Sequence, residues 1–218
     1  MSTDLTKRKA DFMHIPSSTT KEIEVLTFER ALAGSGAKDY DTDKWLYVPD
    51  FYSEYRYILG TRGIKPLVCI GINPSTAEPD NLDNTLKSVE RIALNNGYDS
   101  FIMFNVYAQR ATSPKDMEKE CNKELHRENM KAFEYVMRLS KGAPSVWAAW
   151  GTIINERDYL AECVLDMIDI GEKYGANWFT AGKRSKNGGH PHHPLYLKKD
   201  SGLDSFDVRT YCNSLKGV

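Results

Sequence analysis

The feature that most constrains the fold is an alternation, after Pro66, of short apolar runs with longer amphipathic stretches. The apolar runs, each of a length suited to one strand buried on both faces, are residues 67–72, 101–104, 145–150 and 176–180. The stretches with apolar side chains at helical spacing are residues 85–96, 122–139 and 155–170. Strands that alternate with helices form a parallel sheet covered on both faces. The sequence therefore predicts a three-layer α/β/α fold around a central, mostly parallel four-stranded sheet.

The first quarter of the chain has a different character. Residues 1–20 are polar and rich in serine and threonine, which predicts a flexible N-terminus. Residues 22–28, 45–48 and 55–59 are strand candidates, and the glycines at 60 and 63 indicate a turn. These segments are too short to hold a core of their own. We therefore expect a β-rich N-terminal extension of one domain that spans residues 21–218.

Composition and charge exclude several classes of protein. The chain has 218 residues, 41% hydrophobic and 27% charged, which is enough to bury a core without disulfide or metal staples. A net charge of −1 excludes a wholly basic nucleic-acid wrapper, although not a local basic patch. The start of the chain lacks the apolar segment of a signal peptide, and no apolar run reaches the length of a membrane span. The sequence therefore predicts a cytoplasmic protein with no membrane partner.

No metal or cofactor is expected. The four cysteines are widely spaced with no CxxC pair, which argues against a zinc site, an iron–sulfur cluster or a disulfide framework. His190, His192 and His193 lie too close together on one loop to suit a tetrahedral site. The chain also has no GxGxxG, Walker or GxSxG motif.

Candidate site residues follow the predicted strands, because ligands of open parallel sheets bind beyond the carboxyl ends of the strands. The residues that follow the first strand are Gly71, Ile72, Asn73, Pro74 and Ser75. Those that follow the later strands are Asn105, Tyr107, Arg110, Gly151, Lys183, Arg184, Lys186, His193 and Pro194. Each also has a structural interpretation: a turn at residues 73–74, a loop cap at 105, a helix entry at 151 and a solvated charged surface at 183–186.

The order of these pieces resembles the uracil-DNA glycosylase superfamily. Residues 71–74, Gly-Ile-Asn-Pro, resemble the first motif of its mismatch-specific branch, and Asn105 resembles the asparagine that reads a flipped base. Trp150 and Gly151 match a strand end typical of the superfamily, and His193-Pro194 resembles its second catalytic motif. More closely, residues 55–197 resemble the bacterial and phage family known as domain of unknown function 1643. The matching pieces include residues 71–77, 105–108, 110–112, 149–151 and 193–197.

The resemblance implies a DNA glycosylase of base excision that extrudes a damaged or modified base and hydrolyses its N-glycosidic bond. Asn73 and His193 would be catalytic. The substrate-binding residues would be Gly71, Ile72, Pro74, Ser75, Asn105, Tyr107, Gly151 and Pro194. The residues that contact DNA phosphates would be Arg110, Lys183, Arg184 and Lys186. The chain departs from the motifs at residues 75–77, Ser-Thr-Ala, and at Leu195-Tyr196.

Two other functions remain open at this stage. The same residues would suit a non-catalytic protein that binds a nucleotide or modified base, such as a sensor in phage–host conflict. They would also suit a hydrolase that acts on free nucleosides or nucleotides. The expected partner is accordingly DNA or a nucleotide.

Overall fold

A computed structural model describes residues 13–36 and 38–215 of the chain. In that part of the chain, seven strands form one sheet, accompanied by five α-helices. The strands are β1 (Trp45–Val48), β2 (Ile58–Thr61), β3 (Pro66–Gly71), β4 (Ser100–Asn105), β5 (Ser145–Ala148), β6 (Asn177–Ala181) and β7 (Leu203–Ser205). The helices are α1 (Phe28–Ala33), α2 (Asn84–Asn95), α3 (Lys123–Leu139), α4 (Tyr159–Lys173) and α5 (Val208–Leu215). The predicted α/β class is confirmed.

The sheet is mixed, and its strands follow the order β1-β2-β4-β3-β5-β6-β7. The four neighbours β4, β3, β5 and β6 run parallel, whereas β1, β2 and β7 pair antiparallel. The sequence predicted a central sheet of four strands, so it missed the size of the sheet. The aromatic segments near the N-terminus extend the edge at β4 rather than forming a separate extension. Strand β7 has three residues, which is too short for a periodic pattern.

Helices cover both faces of the sheet. Successive side chains of a strand point to opposite faces. On β3, Val68 and Ile70 join a buried cluster with α1, α3, α4 and α5, while Leu67 and Cys69 join a second cluster with α2. Burial on both faces explains why the central strands appear in the sequence as continuous apolar runs.

The N-terminal segment differs from the prediction in one respect. Residues 22–28 form no strand in the described structure, because Thr27 caps α1 by accepting a hydrogen bond from the Arg30 backbone N–H at 3.3 Å. Residues 1–12 lie outside the described residues. Of the segment that follows, His14 and Thr20 are buried, and the Thr20 hydroxyl donates to Glu118 at 2.6 Å. None of the described helices is long and apolar enough to cross a bilayer.

Candidate functional site

A cavity of about 380 Å³ lies at the carboxyl ends of β3 and β4, whose last residues are paired in the sheet. Cavities that bind small ligands have volumes of roughly 300–1,000 Å³. The wall comes from two strand ends, the loop after β3, the start of α2 and the loop that precedes β7. Six of the predicted site residues line it: Gly71, Ile72, Asn73, Ser75, Asn105 and His193. The structure thus brings together residues that are up to 122 positions apart in the sequence.

Asn105 is the most unusual side chain in this wall. It is 1% exposed, yet neither its Oδ1 nor its Nδ2 has a hydrogen-bond partner among the described residues. Its backbone is held by helix α3, since Asn129 Nδ2 donates to the Asn105 carbonyl at 3.0 Å. An unpaired buried polar atom costs about 1–3 kcal/mol, so such groups are normally paired with protein, water or ligand. The side-chain amide of Asn105 therefore offers a donor and an acceptor to whatever fills the cavity.

Asn73 is oriented by its own loop. Its Nδ2 donates to the carbonyls of Ala111 at 2.7 Å and Pro74 at 3.1 Å. Both hydrogens of the amide group thereby have acceptors, so Oδ1 is the atom that remains for a ligand or a water. The sequence identified this residue, and the hydrogen bonds define which end of its amide can act.

His193 stands at the start of a short 3₁₀ helix, Pro194–Tyr196. Its Nδ1 accepts from the Leu195 backbone N–H at 3.3 Å, so the neutral ring carries its hydrogen on Nε2. Burial lowers the pKa of His193, and the negative charge of Asp83 opposes that shift. The loop is fixed to α2 because the Ser88 hydroxyl donates to the Pro194 carbonyl at 2.9 Å. His193 is therefore a neutral, positioned hydrogen-bond donor.

Gly71 provides room for the neighbouring amide. A Cβ at this position would lie 2.6 Å from Met103 Cε and 3.2 Å from Asn105 Oδ1. The first distance is shorter than real Cβ contacts, and the second would press on the group that faces the cavity. The glycine that ends β3 thus keeps the Asn105 amide accessible.

Eight of the predicted residues do not line this cavity, and four of these eight, Tyr107, Arg110, Pro74 and Pro194, are buried beside it. Tyr107 is fully buried; its hydroxyl donates to Glu118 and accepts from the Asn122 backbone N–H at 2.9 Å. Arg110 is also fully buried and donates to the Ser75 carbonyl and the Tyr47 hydroxyl. Neither is placed to stack on a base or to contact a phosphate, because each side chain is fully buried inside the protein. Pro74 and Pro194 are buried in the loops that carry Asn73 and His193.

A second cavity, of about 590 Å³, adjoins the first. The two share Ile153, His193 and Leu195, and Gly151 and Lys183 belong to the second. Gly151 has φ +63°, a conformation that L side chains rarely adopt.

Four of the eleven residues that line the second cavity are exposed: Thr152, Lys183, Leu195 and Tyr196. Tyr196 is 75% exposed at its edge, and Arg184 and Lys186 are exposed on the same loop as Lys183. Three of the four basic residues predicted to contact phosphates, Lys183, Arg184 and Lys186, are therefore exposed outside the first cavity.

Two charged residues that line the first cavity, Arg56 and Asp83, were not identified as site residues from the sequence. Arg56 is 1% exposed and donates from Nη1 to the Ala77 carbonyl at 3.0 Å, but its Nε has no partner among the described residues. Burial lowers the pKa of Arg56 to about 9, and the nearby charge of Arg110 adds to the effect. Asp83 caps α2 and is the single acidic side chain among the described residues that line the cavity.

The sequence held a signal for Asp83 but not for Arg56. An aspartate three residues before an apolar helical position, Leu86, is typical of a helix N-cap. A helix that follows a parallel strand begins at the same edge of the sheet as the strand ends. Arg56 lies in an aromatic stretch before β2, where nothing in the pattern indicates that a long cationic side chain points inward.

In the described ranges, no group of three or more His, Cys, Asp or Glu side chains is arranged to hold a metal ion. The Nδ1 atom of His190 forms a hydrogen bond with the Tyr211 hydroxyl at 2.8 Å, and its Nε2 atom lies 3.2 Å from Asn155 Nδ2. His192 contacts the His193 carbonyl at 2.9 Å through Nδ1. The histidines of this loop thus take part in local hydrogen bonds.

The fold and the site together define an α/β protein with a polar cavity at the carboxyl ends of parallel strands. The chain belongs to the family described as "Protein of unknown function (DUF1643)", whose family model matches residues 56–195. The matched stretch begins at Arg56 and ends at Leu195, so it contains every residue that lines the first cavity. No curated protein and no solved structure matches the chain. The predicted membership of this family is confirmed.

Proposed function

We propose that this protein is a DNA glycosylase-like hydrolase that holds an extruded base in the 380 Å³ cavity and cleaves its N-glycosidic bond. The observation that carries the proposal is the Asn105 amide, which is buried and unpaired in a cavity shared with Asn73 and His193. An amide that offers one donor and one acceptor matches the hydrogen-bonding edge of a nucleobase. The four adjacent parallel strands also support a uracil-DNA-glycosylase-like core.

The chemistry requires three functions. Breaking the bond develops positive charge on the sugar and negative charge on the departing base, so the base must be recognised, the leaving anion stabilised and a water positioned. In the proposal, Asn105 reads the base edge and His193 donates from Nε2 to a base oxygen. Asn73 accepts a hydrogen from the water through Oδ1.

DNA would approach across the second cavity. Lys183 supplies positive charge there, Arg184 and Lys186 are exposed on the same loop, and the exposed ring of Tyr196 offers a surface for a neighbouring base. A protein that binds DNA phosphates releases counterions from the DNA, so its affinity falls steeply as the salt concentration rises. A steep salt dependence of duplex binding is therefore part of the proposal.

The test is to incubate the pure protein with duplexes that contain uracil, hydroxymethyluracil or bulky phage-type modified cytosine, and to measure abasic sites. His193→Ala should lower the rate by about 10²–10³-fold, the usual effect of removing one donor to a developing anion. Asn73→Ala should also lower the rate. His126→Ala and Asn177→Ala are matched controls, since both side chains lie outside the two cavities. Undiminished cleavage in His193→Ala and Asn73→Ala would contradict the assigned roles.

A second candidate is a protein that binds a nucleotide or modified base without chemistry. The observation that favours it is Arg56, a buried guanidinium with no carboxylate within 4.0 Å among the described residues, which suits an anionic ligand. Nucleotide binding that is tight but insensitive to salt, with no abasic product on any duplex, would favour this candidate. Release of a free base from nucleosides or nucleotides alone would favour a third, a small-molecule hydrolase.

A further inference from the structure

We propose that Asp83 is a catalytic residue, whose carboxylate faces the reacting sugar and receives a proton from the attacking water. The inference rests on the proposed function and identifies a residue that the glycosylase resemblance does not supply. The resemblance leaves Asn73 in the position of the water-activating group, and a neutral amide is a very weak base. A carboxylate in the same cavity would provide the missing basic group.

The cavity itself favours this assignment. Its lining includes one acidic side chain among the described residues, that of Asp83, together with the buried, unpaired amide of Asn105 and the ring of His193. The negative charge of Asp83 acts to raise the pKa of both His193 and Arg56, so the carboxylate lies near both side chains. A base reader, an anion stabiliser and a carboxylate therefore line the same cavity.

The Asp83 carboxylate is also held in place. Its Oδ1 accepts from the Leu86 backbone N–H at 2.9 Å, which caps α2. No described residue hydrogen-bonds to Oδ2, so one oxygen anchors the side chain and the other is available to a ligand. Helix α2 is in turn tied to the His193 loop through Ser88 and the Pro194 carbonyl. The carboxylate thus has a fixed position relative to His193.

The proposed step balances as a hydrolysis. The bond between C1′ of the sugar and the base nitrogen breaks, and its electron pair leaves with the base, whose charge His193 stabilises. The oxygen of the water forms the new bond to C1′ while one of its protons passes to the Asp83 carboxylate and then to solvent. The departing base takes up one proton from solvent, so the products are a sugar hydroxyl and a neutral free base. The negative charge of Asp83 also stabilises the positive charge on the sugar.

The structural role of Asp83 can be separated from the chemical one. Asparagine and aspartate are about equally good N-caps, so Asp83→Asn keeps the hydrogen bond to Leu86 and removes the charge. Asp207→Asn is the matched control. Asp207 accepts from the Thr210 backbone N–H at 3.0 Å at the start of α5, is exposed, and lines neither of the two cavities. Both variants should have the thermal midpoint of the wild type.

The experiment compares binding of the full-length protein to two duplexes, one with a cationic pyrrolidine abasic analogue and one with neutral tetrahydrofuran. The wild type should prefer the cation by about 10–100-fold, because a carboxylate lies beside the sugar. Asp83→Asn should lose this preference without a change in tetrahydrofuran binding. It should also form abasic sites about 10²–10⁴-fold more slowly, the usual contribution of a general base. Asp207→Asn should match the wild type in all three measurements.

The outcomes distinguish the two levels of the proposal. If the wild type cleaves a modified base and Asp83→Asn keeps both the rate and the cation preference, the role of Asp83 is wrong and the glycosylase function stands. If the wild type neither binds these duplexes nor forms abasic sites on any of them, the proposed function is wrong, and the role of Asp83 is overturned with it.

Discussion

Asn105 is the last residue of β4 and Tyr107 follows two residues later. The two side chains differ in whether their polar groups have hydrogen-bond partners. The Tyr107 hydroxyl is shared between Glu118 and the Asn122 backbone N–H, and Glu118 also accepts from the backbone and hydroxyl of Thr20. The Asn105 amide is as deeply buried but has no partner in the described structure. Buried polar groups that have hydrogen-bond partners stabilise the fold, whereas an unpaired polar group at a cavity is available to bind a ligand. The comparison separates a structural side of the β4 loop from a functional side.

The largest expected effect lies on the functional side. Asn105→Ala should lower the rate of base release by about 10²–10³-fold, or 2.7–4 kcal/mol of barrier, because the base loses a positioned donor and acceptor. The free energy of unfolding should not fall, since the amide makes no internal hydrogen bond. Abasic-site formation and urea unfolding measure the two quantities. A marked loss of stability with normal activity would reverse the distinction between the two sides.

The structural side should show the opposite result. Tyr107→Phe removes a hydroxyl that serves Glu118 and the start of α3, and should reduce the free energy of unfolding by about 1–3 kcal/mol. Activity per folded molecule should be unchanged at low temperature. Tyr135→Phe is the control, because the Tyr135 ring packs against Phe28 while its hydroxyl makes no hydrogen bond to a described residue. Equal stability of the two variants would show that the Tyr107 hydroxyl contributes nothing to the stability of the fold.

Gly71 tests whether the unpaired amide needs space. Gly71→Ala would bring a methyl group to 3.2 Å from Asn105 Oδ1, which should weaken ligand binding and lower the free energy of unfolding by about 1–3 kcal/mol, the usual cost of overpacking. Gly142→Ala is the matched control, since nothing lies within 4 Å of a Cβ there. Calorimetric titration with the base or nucleotide identified as ligand measures the difference. Equal affinity in both variants would show that Met103 alone absorbs the added methyl group.

The smallest expected effect concerns pH. Burial lowers the pKa of His193 and of His190 in the folded protein, so the unfolded chain binds protons more readily on acidification. Stability should therefore fall as pH drops below about 6.5, the ordinary histidine value, and level off below the folded pKa. Thermal midpoints between pH 7.5 and 5 measure this, and His193→Gln should flatten the decline. An unchanged pH dependence in that variant would assign the decline to other groups.

The sequence located the functional side better than the structural one. Asn73, Asn105 and His193 share a cavity because the carboxyl ends of parallel strands meet at one edge, and the apolar runs marked those ends. Beyond a strand end the alternation of side chains stops, so nothing in the pattern indicated that Tyr107 turns inward. Arg56 and Arg110 were not predictable as buried residues, because arginine is usually exposed. Residues 45–48 and 55–59 were strand candidates, but nothing in the pattern indicated that they join the central sheet as its antiparallel edge, and β7 has only three residues.

Helix α2 has a consequence for selectivity. It begins at Asp83 and, one turn further on, Ser88 binds the Pro194 carbonyl of the His193 loop, while its inner side packs into the core. Helix α2 therefore holds both Asp83 and the His193 loop. The width of the cavity between Asp83 and His193 is set by a rigid helix rather than by a flexible loop. In the proposed function, this fixed width would favour a planar ring over a ring with a bulky substituent on the α2 side. Leu195 lines both cavities, so a large substituent on the proposed base would extend past Leu195 into the second, larger cavity.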